Sequence, residues 1–277
     1  MICRPAVMRR LALLLLGAGL ATGCAHRPGP PADLEGLLPT PLLLLGELHD
    51  APEHQALQAD TVRQLAGRGE LAAVVLEMVE QGRDTRRLPP DANEAQVREA
   101  LDWTGDRNAS AWPWAVYGPV VMAAVRDGVP VLGGNLPRAQ MRAAMGDAAL
   151  DAVLPEVALQ RQREAIRDGH CGLLPDTQIG PMTRVQLARD RAMARTAVAA
   201  LAPGKTVLLI AGNGHVQRDL GVPRHLPPGQ SHRVVMALAR DAAAAPVADP
   251  AQADRIWLTP ARPEKDHCAE MRQQMGR

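Results

Sequence analysis

Short, uniformly apolar runs alternate with longer amphipathic segments along most of this chain. Six runs have the length of β-strands: residues 42–45, 73–76, 129–132, 206–211, 233–238 and 255–258. Helical patterns lie between them at residues 51–68, 118–126 and 184–200. Because most of the short runs do not alternate between apolar and polar residues, they are typical of strands buried on both faces. The pattern predicts an α/β fold, a mostly parallel β-sheet flanked by helices.

Two stretches interrupt this alternation inside a predicted domain of residues 40–277. Residues 81–117 are polar and proline-containing and then rich in tryptophan, and residues 137–183 are irregular or helical. We interpret both stretches as insertions, which give the sheet a helical subdomain. The chain has no phenylalanine and one tyrosine, so its aromatic side chains concentrate at residues 103–117. That segment is the place where a flat apolar ligand would rest.

The N-terminal residues predict export to a bacterial cell envelope. Arg4, Arg9 and Arg10 precede an apolar run at residues 11–20 that is too short to span a bilayer. Residues 21–24, Ala-Thr-Gly-Cys, resemble the processing site of a lipoprotein. An ordinary signal peptide is the alternative, but it leaves a free cysteine beside the cut without a purpose.

We therefore expect residues 1–23 to be a lipoprotein signal peptide and Cys24 to carry the lipid. Residues 24–39, which are rich in proline and glycine, would form a flexible tether. Because Ala25 follows the cysteine, the predicted location is the outer membrane, to which the lipid attaches the protein.

Charge and cysteine content narrow the possible functions further. The chain has 31 basic and 30 acidic residues, and loss of the three signal-peptide arginines leaves 28 against 30. Without a basic excess, a nucleic-acid partner is excluded.

Cys171 and Cys268 remain after Cys3 is removed and Cys24 is lipidated. In an oxidising compartment these two can pair, although sequence spacing alone does not establish the bond.

Polar residues that suit chemistry follow four of the predicted strands. The first strand is followed by Glu47 and His49, the second by Glu77, the third by Asn135 and the fourth by His215. In an open parallel sheet the carboxyl ends of the strands meet at one edge, where ligands bind. Two histidines and two carboxylates there can hold a divalent metal ion or activate water. The alternative is structural, with buried hydrogen bonds to neighbouring groups.

The motifs of the chain together resemble the ChaN-like family of haem-binding lipoproteins. The similarity follows the chain in order through residues 42–50 (Leu-Leu-Leu-Leu-Gly-Glu-Leu-His-Asp), 75–78 (Val-Leu-Glu-Met), 112–119 (Trp-Pro-Trp-Ala-Val-Tyr-Gly-Pro), 133–138 (Gly-Gly-Asn-Leu-Pro-Arg), 188–194 (Ala-Arg-Asp-Arg-Ala-Met-Ala) and 211–223 (Ala-Gly-Asn-Gly-His-Val-Gln-Arg-Asp-Leu-Gly-Val-Pro). The lipoprotein signal agrees with this resemblance.

The resemblance implies a haem-binding protein that takes up or stores haem iron. It also implies a homodimer with two stacked haems, iron bound through a tyrosine, and possible supply from a TonB-dependent haem receptor. Tyr117 is the single tyrosine of the chain, so that role would fall to it, with Trp112 or Trp114 stacking on the haem. Arg138 and His170 are candidates for the propionates. From the residues alone, Tyr117 is equally a core aromatic with one hydrogen-bond partner.

A wider resemblance, to Tiki/TraB proteins and erythromycin esterases, supports a second hypothesis. Tiki-type proteins are regarded as metal-dependent proteases with two Gly-x-x-His motifs and a glutamate. This chain has Gly-x-x-His at 46–49 and 212–215, with Glu77 between them. In this alternative, His49, Glu77 and His215 hold a divalent metal ion, and Glu47 is the general base of a hydrolase.

Overall fold

The computed structural model describes residue 34 and residues 36–103, 112–240, 249, 251–261 and 266–275. The predicted signal peptide, Cys24 and most of the predicted tether lie outside these residues. The division of the chain into signal peptide, tether and domain therefore stays a prediction. No helix in the described part of the chain is long and apolar enough to cross a membrane.

The described residues form six strands and eight α-helices. In chain order these are β1 (Leu42–Glu47), α1 (Pro52–Gly67), β2 (Leu71–Glu80), α2 (Glu94–Ala100), α3 (Trp114–Arg126), β3 (Val131–Asn135), α4 (Arg138–Gly146), α5 (Glu156–Gly169), α6 (Asp176–Ala199), β4 (Thr206–Gly212), α7 (Asn213–Val216), β5 (Arg233–Ala239), β6 (Arg255–Thr259) and α8 (His267–Met275). Short 3-10 helices occur at Ala148–Ala152 and Val222–His225.

The strands form one sheet in the order β3-β2-β4-β1-β5-β6, and every neighbouring pair is parallel. The predicted α/β fold with a parallel sheet is therefore confirmed. β1 and β4, the two central strands, are buried along their whole length. Burial on both faces explains why their sequences are uniformly apolar.

Helices cover both faces of the sheet, and a third layer lies outside them. On one face, α1 and α3 pack against the sheet around Val62, Leu65 and Val121. On the other face, the second half of α6 contributes Met193 and Ala197. The first half of α6 instead packs with α4, the first 3-10 helix and α5, around an apolar cluster of its own. This outer layer is helical, as the interpretation of residues 137–183 predicts.

Cys171 and Cys268 are joined by a disulfide. Cys171 lies in the turn between α5 and α6, and Cys268 lies in α8. The bond therefore connects the outer helical layer to the C-terminal helix.

Candidate functional site

The carboxylate of Glu47 lies at the buried centre of the site. Glu47 ends β1, and its side chain is fully buried. Its Oε1 accepts hydrogen bonds from the Tyr117 hydroxyl at 2.7 Å and from His49 Nδ1 at 2.6 Å. Its Oε2 accepts from the side-chain amides of Gln55 and Gln58, each at 2.7 Å. These four donors stabilise a charge that would otherwise be costly to bury.

His49 is the accessible partner of Glu47, with 40% of its side chain exposed. Because Nδ1 donates to Glu47, Nε2 faces the space beside Gly212, where a Cβ would lie only 2.9 Å away. Burial lowers the pKa of His49, but the hydrogen bond to Glu47 and the charges of Glu77 and Glu47 outweigh it, so the pKa lies above its ordinary value. A carboxylate on one ring nitrogen orients a histidine for proton transfer at the other.

This geometry favours a role for Glu47 other than the predicted general base. A general base needs an oxygen that reaches a substrate or water, whereas both oxygens of Glu47 are occupied and buried. Glu47 orients His49, and His49 has the accessible nitrogen.

Tyr117 is also part of this buried network. It lies in the first turns of α3 with a side chain that is almost completely buried, and its hydroxyl is 3.4 Å from His49 Nδ1 as well as bonded to Glu47. Burial and the charge of Glu47 raise the pKa of Tyr117 far above its ordinary range. In this geometry Tyr117 is a hydrogen-bond donor to Glu47, and its role as an iron ligand stays a prediction.

A second buried chain of titratable groups runs beside the first. Glu77 Oε2 accepts from the Gly212 backbone N–H at 2.8 Å, and Glu77 Oε1 is 3.3 Å from His215 Nε2. His215 Nδ1 is 2.5 Å from Asp190 Oδ1. The two chains meet where His49 Nε2 and Glu77 Oε2 are 3.9 Å apart.

The charges within this second chain of titratable groups stabilise one another. Burial by itself lowers the pKa of His215, but Glu77 and Asp190 on either side raise it to about 10. The positive charge of His215 in turn outweighs the effect of burial on Glu77 and lowers the pKa of that carboxyl. Burial raises the pKa of Asp190 to about 6, with His215 acting in the opposite direction. At neutral pH the chain is therefore an imidazolium held between carboxyl groups.

The strand ends bring these groups together. β1, β2 and β4 are neighbours in the sheet, and the site lies at the carboxyl edge that they share. β2 does not end at Glu77, as the apolar run predicts, but continues to Glu80 with an irregular register between Leu76 and Glu80. Such an irregularity re-aims a side chain, and here it lies at Glu77. His215 lies in the short helix α7, directly after β4.

Of the predicted aromatic residues, Trp112 reaches the site and Trp114 does not. The Trp112 ring packs edge-on against His49, with the ring centroids 4.6 Å apart. Trp114 packs instead against Trp103, and its indole N–H donates to Glu94.

The two predicted propionate candidates lie apart from the buried network. Arg138 is exposed at the start of α4, where its backbone N–H donates to Glu80. His170 caps the end of α5, and its Nδ1 bonds to the Ile166 carbonyl at 2.8 Å. The site residues therefore divide into a buried group and a surface group.

The predicted metal site is not found. Among the described residues no group of three or more His, Cys, Asp or Glu side chains is arranged to hold a metal ion. His49, Glu77 and His215 are close together, but Asp190 and Glu77 engage the two ring nitrogens of His215. A nitrogen that is hydrogen-bonded to a carboxylate does not serve as a metal ligand at the same time.

Several polar residues of the site were not predicted. Asp190 lies within the family-like segment 188–194, but its partner, His215, is 25 positions away in sequence. Gln55 and Gln58 lie three positions apart on the buried face of α1, and that spacing of polar residues on an otherwise apolar face is the signal that marks them. Gln186, one turn of α6 before Asp190, approaches His215 Nε2 at 3.2 Å.

A cavity of about 1010 Å³ lies at the opposite edge of the sheet. Its walls come from the segments that precede β1, β2 and β4, including Pro41, Arg68 and Leu201. None of the predicted site residues lines it, so it is separate from the chemistry described above.

A family model described as haem-binding uptake, Tiki superfamily, ChaN, matches residues 34–226. That range contains β1 to β4 and both buried chains of titratable groups. A search of individually curated proteins finds no match.

The chain shares its fold with a solved structure and has lower similarity to others. The structure described as cofacial haem binding to ChaN of Campylobacter jejuni is 22% identical, and the alignment covers 79% of this chain and 88% of that one, with a TM-score of 0.63. The type III effector HopBA1 is 15% identical over 80% of this chain and 88% of its own, with a TM-score of 0.43. A mutant of the erythromycin esterase EreC in its open conformation is 14% identical over 72% and 70%, with a TM-score of 0.42.

Proposed function

This chain belongs to the haem-binding uptake family of the Tiki superfamily that includes ChaN, and from that membership we propose that it is a haem-binding protein of the bacterial cell envelope. The family match over residues 34–226 is the observation that carries the proposal. Haem is accordingly the cofactor that we assign to the chain.

We place the protein at the outer membrane, held there by lipid on Cys24. The support is the sequence of residues 1–25, with its basic start, short apolar run and Ala-Thr-Gly-Cys processing site. A protein anchored at this place is positioned to accept haem from a TonB-dependent receptor and to take up or store its iron. Two haems held face to face by a homodimer would follow the cofacial haem binding described for ChaN of Campylobacter jejuni.

For the iron ligand we propose Tyr117, the single tyrosine of the chain. Tyr117 is buried and donates to Glu47, so a phenolate–iron bond requires its hydroxyl to leave this network. Trp112, whose ring centroid is 5.8 Å from that of Tyr117, is the candidate for ring stacking. Arg138 and His170, which lie apart from the buried network, are the candidates for the propionates.

A haemin titration of three proteins tests both the binding and the ligand. The wild type, Tyr117→Phe and His170→Ala are titrated with haemin and followed by absorption spectroscopy and light scattering. We expect saturable binding with dimer formation in the wild type, an affinity loss of about tenfold or more in Tyr117→Phe, and a smaller loss in His170→Ala. Wild-type affinity in Tyr117→Phe would reject the tyrosine as the iron ligand. Absence of saturable binding in the wild type would reject the haem proposal.

The buried network favours a second function, acid–base hydrolysis without a metal ion. The observation behind it is the pairing of an oriented His49 with the Glu77–His215–Asp190 chain at 3.9 Å. A haem-binding protein has no evident need for these two chains. In this function His49 Nε2 takes the proton of a water molecule that attacks an ester or amide carbonyl, while the Glu77 carboxylate, held by His215, lies beside His49 and stabilises its protonated form.

A hydrolase screen separates this function from haem binding. Activity on small ester and amide substrates is compared in the wild type, His49→Ala and Tyr117→Phe, with and without a chelator. We expect His49→Ala to lose about a hundredfold or more of any activity and the chelator to have no effect. Activity that survives in His49→Ala would reject this role for the network.

A further inference from the structure

The C-terminal helix α8 joins the loop after β1 to the outer helical layer. His267, its first residue, places Nε2 at 2.9 Å from Asp50 Oδ2. Asp50 directly follows His49 in the loop between β1 and α1. Cys268, the next residue of α8, is bonded to Cys171 in the turn between α5 and α6.

Each end of this connection adjoins a residue considered above for function. Cys171 follows His170, a candidate for a haem propionate, and Asp50 follows His49, the exposed histidine beside the buried network. The helix therefore connects the site loop to the turn of the outer helical layer through two successive residues. Any movement that separates these two parts must break the ion pair, the disulfide or both.

The backbone at Cys171 supports a turn that is fixed by this connection. Cys171 has a φ of +56°, in the left-handed region that residues other than glycine seldom adopt, and Gly172 follows with a φ of +66°. A conformation of this kind persists only where surrounding contacts hold it. The disulfide is the covalent contact at this position.

We propose that α8 is a redox-sensitive strap, which holds the loop after His49 and the turn after His170 together while the disulfide is intact. The strap limits how far the loop that carries His49 and Asp50 can move, and it keeps the turn that follows His170 in place. Its haem-related part rests on the proposed function, whereas its effect on access to His49 does not.

Opening of the strap requires a dithiol reductant. Two electrons from the dithiol break the sulfur–sulfur bond, each cysteine sulfur gains a proton, and the dithiol is oxidised to its own disulfide. The ion pair of His267 with Asp50 then remains as a partly exposed contact, with 50% and 32% of the two side chains exposed. An exposed pair of this kind contributes little to stability, so it does not hold the strap closed by itself.

The test measures how fast His49 reacts with diethyl pyrocarbonate, by mass spectrometry of its peptide. Four samples are compared: the oxidised wild type, the wild type reduced with dithiothreitol and alkylated, the Cys171→Ser/Cys268→Ser variant, and that variant after the same treatment. His54, which is fully buried, must stay unmodified in all four samples and so reports an intact fold. His267→Ala, with its disulfide retained, separates the ion pair from the covalent bond.

We expect His49 to react at least about fivefold faster in the reduced wild type and in the double variant, because local opening then exposes the loop. Treatment should not change the double variant further, and His267→Ala should react nearly as slowly as the oxidised wild type. Equal rates in the oxidised and reduced wild type would overturn the strap.

Release of bound haemin to excess apomyoglobin is measured on the same four samples, and we expect faster release wherever the disulfide is absent. If no sample binds haemin, the proposed function fails, whereas the His49 rates still decide the strap. If haemin binds and its release is unchanged while His49 reacts faster with diethyl pyrocarbonate, the strap controls access to the buried network but not the release of haemin.

Discussion

At the scale of single residues, the four hydrogen bonds to Glu47 make it the most informative position to change. Glu47→Gln keeps the shape of the side chain, but the amide oxygen replaces only one of the two acceptors, and the NH₂ group lies against the two donors of the other. We expect the free energy of unfolding to fall by about 2–4 kcal/mol, because buried donors lose their acceptor. Urea denaturation at pH 7 measures this change.

The matched control is Glu53→Gln in the first turn of α1, where the side chain is exposed. An exposed substitution of this kind should change the free energy of unfolding by less than about 0.5 kcal/mol. A Glu47→Gln variant as stable as this control would show that the four hydrogen bonds do not stabilise the fold.

His215 gives the molecule a pH dependence of its own. Its pKa is raised to about 10 in the folded protein, against an ordinary value of 6.5. The folded state therefore binds more protons than the unfolded state between these values. Its contribution to stability is complete below pH 6.5 and is lost as pH rises towards 10, by at most about 1.4 kcal/mol per pH unit.

Urea denaturation at pH 7, 8 and 9 measures this slope in the wild type and in His215→Gln. The slope should be smaller in the variant. His225→Gln is the control, because burial and nearby arginines lower the pKa of His225 to about 4 and keep it neutral throughout this range. Identical slopes in His215→Gln and the wild type would contradict the assignment of the charge.

The sequence predicts the residues with chemistry at this scale, but not their partners. Glu47, His49, Glu77 and His215 follow apolar strands, and that position alone predicts a shared edge. The role of Glu47 depends on donors from α1 and α3, and that of His215 on Asp190 in α6. The local sequence pattern does not indicate which distant side chains donate hydrogen bonds to a carboxylate oxygen.

At the scale of elements, the close contact between β1 and α7 positions the two halves of the site. Gly46 lies directly before Glu47, and a Cβ at this position would overlap the side chains of Asn213 and Val216. Gly46→Ala must therefore push α7, and with it His215, away from β1. We expect a loss of about 2 kcal/mol or more in the free energy of unfolding, as for other overpacked positions.

Gly67→Ala at the end of α1 is the control, since a Cβ there meets nothing within 4 Å. Alanine in a helix should leave stability unchanged or raise it by about 0.5–1 kcal/mol. Both variants are compared by thermal unfolding, with the His49 reaction rate as a second measure of the site. Equal stability of the two variants would show that α7 does not depend on the glycine.

The strands were predictable because each is a short apolar run between helical patterns, and all six occur in the parallel sheet. The extent of β2 was not predictable, because residues 77–81 mix polar and apolar types around the irregular register. Helix α2 was missed inside the predicted insertion of residues 81–117. It has one fully buried apolar residue, Val97, so its sequence carries little helical periodicity.

At the scale of the whole molecule, the outer layer of α4 and α5 has few links to the sheet. It packs on the first half of α6 around its own apolar cluster, which includes Leu150, Leu159 and Leu187. The sequence predicts helical segments here, but their arrangement depends on long-range packing against α6. The disulfide was left open by the sequence for the same reason, because 97 positions separate its cysteines.

Removal of that disulfide tests how far the layer depends on it for stability. Closing a loop of this length restricts the unfolded chain, so Cys171→Ser/Cys268→Ser should lower the free energy of unfolding by about 2–4 kcal/mol. Dithiothreitol should lower the stability of the wild type to that of the double variant and leave the variant unchanged. Chemical denaturation with and without reductant measures both effects. If reduction speeds the reaction of His49 but leaves the free energy of unfolding unchanged, the bond acts on access to the site and not on the stability of the fold.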